Sequence, residues 1–248
     1  MSALSTPDLS TPDLSKPALT ARAPRPVIAF DLDGTLVDTA PDLLNTLDVI
    51  LAARGLPPVD RAEARNMIGG GARVLIQRAL ARDAVTVSDA ELADMNRQFL
   101  AHYSAHIADE SQPFPGLLPA LDRLAEAGAQ LCVCTNKLEH LARQLLEALD
   151  LTKRFAVITG ADTYAKAKPD PLPLLSTIAA AGGVPAQAVM VGDSITDVRT
   201  ARATGVPVVA VSFGYTDIPP PELGADQLIH HFTELEQAIE ATLPASAT

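Results

Sequence analysis

Cysteine is scarce in this chain, which has only Cys132 and Cys134. One residue apart in a β-favouring run, the two thiols point to the same face of a strand and read as small packed hydrophobes, not a disulfide. A reducing cytoplasm suits that usage. Positive charge is also in deficit, with 19 Lys and Arg against 30 Asp and Glu for a net charge of −11. Neither nucleic acid nor an anionic membrane attracts such a surface, so neither is expected as a partner. A small phosphorylated metabolite stays open, because local cations decide its binding. No apolar run approaches the length of a bilayer span, and the N-terminus has neither the basic start nor the apolar core of a signal peptide, so a cytoplasmic location is expected. Nothing in the pattern signals an oligomer beyond a monomer or a homodimer.

What is present is a long alternation of helical and strand-like stretches. Residues 1–24 hold the direct repeat LSTPDLSTPDLS, a Ser, Thr and Pro-rich composition that buries little and predicts a disordered tail. Residues 244–248 read as frayed. From 39 to 107 the periodicity is helical only: Thr39 and Asp42 open a helix, Ser88 and Glu91 have capping-box spacing, and Leu92, Met95 and Phe99 continue one face. From Phe114 onward helices and short apolar strands alternate strictly. That pattern predicts an α/β fold with a doubly wound, parallel, Rossmann-like sheet over 25–38 and 113–243. A helical cap domain over 39–112 is inserted after its first strand.

The stretch PVIAFDLDGTLVDT places Asp31 and Asp33 directly after the apolar run Val27–Phe30. A continuous β-favouring run is a strand buried on both faces, and ligands bind at the carboxyl edge of such a sheet. Side chains two apart in extended chain face the same side, so two carboxylates converge on one volume. At about 4 Å their repulsion is roughly 4 kcal/mol at an effective dielectric near 20, and a cation between them removes that cost. Asp and Gly also serve as ordinary turn residues, and taken alone the motif divides evenly between turn and site.

Three more strand ends carry polar residues. LCVC runs into Thr135, Asn136 and Lys137, where Thr and Asn are good helix caps and equally good anion-binding groups at a helix start; by itself the cap reading is favoured. In KAKPDP, Lys168 precedes two prolines that stiffen the loop, though a lone lysine is ordinarily just solvated, as Lys166 is expected to be. VMVGDSITD supplies Asp193 at a strand end and Asp197 four residues on, where an acid at a helix start also suits the helix dipole.

In this order, DLDGT, a strand ending in Thr, Lys-Pro and GDSxxD resemble the four motifs of the haloacid dehalogenase-like hydrolase superfamily, over residues 27–242. The resemblance implies that Asp31 is a nucleophile forming an aspartyl-phosphate, and that Asp33 is the acid for the leaving alcohol and then the base for water. It also implies Mg2+ held by Asp31, by the backbone carbonyl of Asp33 and by Asp193, with Asp197 behind them. Lys168 would offset the repulsion between nucleophile and phosphate, and Thr135 and the N–H of Asn136 would donate to phosphoryl oxygens. Halide-removing members lack the second aspartate, and phosphonate-cleaving ones use a cap lysine. Here no lysine lies between Lys16 and Lys137.

The segment MIGGGARVLIQRAL resembles the cap loop of phosphoglycolate phosphatases, with Gly70 where an Asn is usual. Arg73 then faces a substrate carboxylate, whose geometry its fork matches, or is simply a surface arginine. The resemblance implies hydrolysis of 2-phosphoglycolate. Phosphatases for other sugar or amino-sugar phosphates share every core motif, and so do sugar-phosphate mutases.

Overall fold

The computed structural model describes residues 25–243; the expected tail over 1–24 and the frayed end over 244–248 lie outside them. The strands β1 (Val27–Phe30), β4 (Gln130–Cys134), β5 (Val157–Thr159), β6 (Ala188–Gly192), β7 (Val208–Val211) and β8 (Gln227–Ile229) form one sheet in the order β5-β4-β1-β6-β7-β8. All pairings in it are parallel. The first strand is central, and Phe30 stands beside Val133 on one side and Val191 on the other. Chain segments leaving β1, β4 and β6 therefore emerge side by side.

Each strand is buried because both faces are covered. Ile28, Phe30, Val133, Val189 and Val191 pack on one side, against α5 (Leu117–Glu126), α6 (Glu139–Ala148) and α9 (Leu235–Thr242). Val27, Ala29, Cys132, Cys134 and Met190 face the other side, where α7 (Pro171–Ala180) and α8 (Ile195–Thr204) contribute Leu174, Ile178, Val198 and Ala201. The period-2 alternation thus divides the apolar residues between two cores. The two thiols are free and buried together.

Between β2 (Val37–Asp38) and β3 (Gln112–Pro113) the chain is helical: α1 (Ala40–Ala52), α2 (Arg61–Arg65), α3 (Ala72–Arg82) and α4 (Asp89–Ala105). Their inward residues, among them Leu47, Ile76, Met95 and Phe99, are continuous with the first of the two cores. The antiparallel pair β2–β3 closes the root of this segment. Two-residue strands carry no periodicity that could be read along the chain.

A helix starts at Thr39 with Asp42 in its first turn, as the sequence predicts, although the Thr39 hydroxyl caps nothing and is buried without a partner. Asp42 serves as a tie between the ends of the helical segment: its carboxylate accepts from the Glu110 N–H at 3.0 Å and from the Ser111 N–H and hydroxyl at 2.8 and 2.6 Å. Thr135 and Asn136 are not helix caps either. Leu138 precedes α6, so both lie in the loop between strand and helix. The capping box of Ser88 and Glu91 at the start of α4 is formed as expected.

Candidate active site

At the carboxyl edge of β1 the Asp31 N–H donates to the Val191 carbonyl at 2.9 Å, which extends the sheet by one residue and fixes where the side chain starts. The Asp31 carboxylate accepts from the Leu32 N–H at 2.7 Å and from Lys168 Nζ at 3.1 Å. Asp193, one residue beyond β6, accepts from the Thr35 hydroxyl at 3.0 Å and the Tyr215 N–H at 2.6 Å. Asp197, in the first turn of α8, accepts from the Ser194 N–H at 3.1 Å and hydroxyl at 2.7 Å, and from Lys168 Nζ at 2.6 Å. All four side chains are buried.

Gathering these charges away from water has consequences. Burial is the largest influence on Asp31; Lys168 opposes it, Asp197 and Asp33 reinforce it, and the carboxyl is pushed up to about 6 from 3.8. Burial, then Asp197 and Asp31, raise Asp193 well above the usual carboxylate range. Burial alone would lower the Lys168 ammonium, but Asp197 and Asp31 more than reverse it, so the lysine is held charged. Raised carboxyls beside a fixed cation are an arrangement short of positive charge.

Oxygens of Asp31, Asp193 and Asp197 lie within 4.8 Å of one another. Hard carboxylate oxygens at that separation suit Mg2+, whose octahedral shell spans about 4 Å. All three already accept from protein donors, Asp31 from Leu32 and Lys168, Asp193 from Thr35 and Tyr215, and Asp197 from Lys168 and Ser194. Gly34 makes the approach feasible: its φ is +82°, and a Cβ there would run into the Asp193 carboxylate and the Tyr215 ring.

Asp33 sits apart from this cluster. Its oxygens accept from Lys137 Nζ at 2.8 and 3.2 Å, and the same ammonium donates to the Tyr103 hydroxyl at 2.9 Å. Sequence reasoning passed over Lys137 and Tyr103. The signals were there: Lys137 is two residues beyond Thr135 in extended chain, and Tyr103 lies four beyond Phe99 on the inward face of α4. Burial pushes the Tyr103 hydroxyl up to about 12, so it stays protonated. Tyr215 was missed as well; besides its bond to Asp193, its hydroxyl donates to Asp38 at 2.5 Å.

Asp31, Asp33, Thr135, Asn136 and Lys137 open into a cavity of about 220 Å³ that Gly69, Gly70, Gly71, Arg73, Phe99 and Tyr103 enclose from the helical side. The Thr135 hydroxyl accepts from the Lys137 N–H at 3.2 Å. The Asn136 amide donates to the Lys168 carbonyl at 3.0 Å, while its own carbonyl oxygen is buried without a partner. Arg73 lines the cavity too, but its side chain is 47% exposed and pairs with Asp89 at 3.5 Å. Lys166 is exposed, as expected.

A parallel α/β sheet with paired carboxylates and a buried lysine on its carboxyl edge, under a helical cover, defines a hydrolase of the type that acts within an enclosed pocket. The model of the haloacid dehalogenase-like hydrolases matches residues 28–211, and the chain belongs to that family. It is 47% identical over 221 residues to a phosphoglycolate phosphatase of Agrobacterium fabrum, covering 89% of this chain and 95% of that one. The corresponding protein of Mesorhizobium japonicum is 50% identical over 211 residues, covering 85% and 93%. Among solved structures, a predicted phosphoglycolate phosphatase from Haemophilus somnus superposes with a TM-score of 0.80 at 30% identity, covering 86% of this chain and 97% of the other. CbbY of Rhodobacter sphaeroides, solved with phosphate, gives 0.73 at 26% identity, with 87% and 99% covered.

Proposed function

We propose that this chain is a magnesium-dependent phosphatase that hydrolyses 2-phosphoglycolate to glycolate and inorganic phosphate. The observation that carries the reading is the placement of Asp31 and Asp33 on the wall of one cavity, with Lys168 and Asp193 beside Asp31. Full-length similarity to phosphoglycolate phosphatases supports the substrate.

In this reading an Asp31 oxygen attacks phosphorus, forming an aspartyl-phosphate as the ester P–O bond breaks, and Asp33 gives its proton to the departing glycolate oxygen. Asp33 next takes a proton from water, whose oxygen attacks phosphorus and releases Asp31 and phosphate. Carboxylate and phosphate dianion at about 4 Å repel by roughly 8 kcal/mol at a dielectric near 20. Lys168 offsets part of that from behind the nucleophile. Mg2+, held by Asp31, the Asp33 carbonyl and Asp193, would neutralise the phosphoryl oxygens. Thr135 and the Asn136 N–H donate to them as charge develops. Asp197 orients Lys168 rather than touching substrate. Helices α1 to α4, over 39–112, act as a cap that excludes bulk water and limits substrate size.

The test is phosphate release from 2-phosphoglycolate beside hexose phosphates, amino-sugar phosphates and nucleotides, with magnesium and with chelator. Expected is a kcat/KM for 2-phosphoglycolate at least about tenfold above the rest and dependent on the metal. A sugar phosphate turned over faster, or converted to an isomer without free phosphate, would overturn the reading.

A further inference from the structure

Two cations line the cavity among the described residues, Arg73 and Lys137, and their settings differ. The Arg73 side chain is 47% exposed and shared with Asp89, whereas that of Lys137 is 5% exposed. A charge held away from water attracts an incoming anion far more strongly than one bathed in it. Lys137 Nζ also lies 4.5 Å from the centre of the Tyr103 ring, so α4 fixes it from above while Asp33 fixes it from the side. Burial alone would lower the ammonium, but Asp33 and Tyr103 reverse this and it remains charged.

We infer that Lys137 is a specificity-determining residue that holds the carboxylate of the leaving group, with Tyr103 positioning it. The inference rests on the substrate reading above. In 2-phosphoglycolate one methylene separates the ester oxygen from the carboxylate. Asp33 has to sit within hydrogen-bond distance of that ester oxygen to protonate it, so a cation bonded to Asp33 is within reach of the neighbouring carboxylate. An ammonium has three donors, and a substrate oxygen replaces the longer contact, the one of 3.2 Å to Asp33 Oδ2. The contact expected of Arg73 from the sequence thereby passes to Lys137, and Arg73 is left at the mouth of the cavity.

The experiment compares kcat/KM for 2-phosphoglycolate and for ethyl phosphate, which has a methyl in place of the carboxylate, in wild type, Lys137→Met, Tyr103→Phe and Arg73→Ala. In Lys137→Met the ratio of the two constants should fall by roughly 100-fold. Tyr103→Phe keeps the ring and should lower the ratio by about three- to tenfold. It carries the test alone if the lysine variant does not fold. Equal losses on both esters would overturn the inference, since a lysine that only positions Asp33 affects both alike. A larger fall in Arg73→Ala than in Lys137→Met would overturn it too. A wild type with no preference for 2-phosphoglycolate over ethyl phosphate would instead overturn the substrate reading.

Discussion

At the residue scale, chemical identity and the surrounding charges do different jobs. Asp31 and Asp33 are the same amino acid two positions apart, yet one faces Lys168 and the other Lys137. Each carboxylate thus has its own cation, although the charge of Asp33 still acts on Asp31. Asp31→Asn removes the attacking charge while keeping the side chain's size, so phosphate release should fall by about 10⁴-fold or more, with circular dichroism unchanged. Turnover surviving in that variant would contradict a covalent intermediate. Both aspartates were readable from one short motif because strand alternation alone puts them on one side. Lys137 was not, because its significance depends on where Asp33 points in space, 104 residues away in sequence.

At the element scale, the short pieces carry more than their length suggests. The helical segment leaves through β2 and returns through β3, and Asp42 in α1 binds Glu110 and Ser111 just before the return. Asp42→Ala would strand the buried Ser111 donors and the part-buried Glu110 N–H, and a loss of about 2 kcal/mol in unfolding free energy by urea titration is expected. A change below 1 kcal/mol would show that the tie is replaceable. The capping box of α4 followed from local chemistry. The loop carrying Thr135 and Asn136 did not: whether a Thr caps a helix or faces a cavity is set by where the helix actually starts, three residues later than those types suggest.

For the whole molecule, the electrostatic state of the site is tied to both pH and metal. With metal removed, the folded chain keeps the Asp31 proton up to about pH 6, against 3.8 for the free group. That contribution to stability is full below about pH 3.8 and is lost as pH rises through about 6. Metal-free wild type should therefore lose stability over this window relative to Asp31→Asn. Parallel curves for the two proteins would reject the raised carboxyl. Binding of Mg2+ requires the deprotonated form. Calorimetry should accordingly show affinity tightening as pH rises and proton release on binding, since Asp31 and Asp193 are both raised in the metal-free protein. Among the described residues no helix is long and apolar enough to cross a membrane.

The sequence by itself determined the parallel α/β architecture and the aspartates at its strand ends, which follow from local rules: apolar period, turn residues and the side on which alternate side chains point. The place of Lys168 beside them followed only from the resemblance of the four motifs taken together. Only the tertiary structure decided which cation serves which carboxylate, that Tyr103 and Tyr215 reach the site, and that Asp42 rather than Thr39 secures the helical segment. Such pairings are fixed by distances between segments remote along the chain, and in a low-dielectric interior a few ångströms decide which charge answers which.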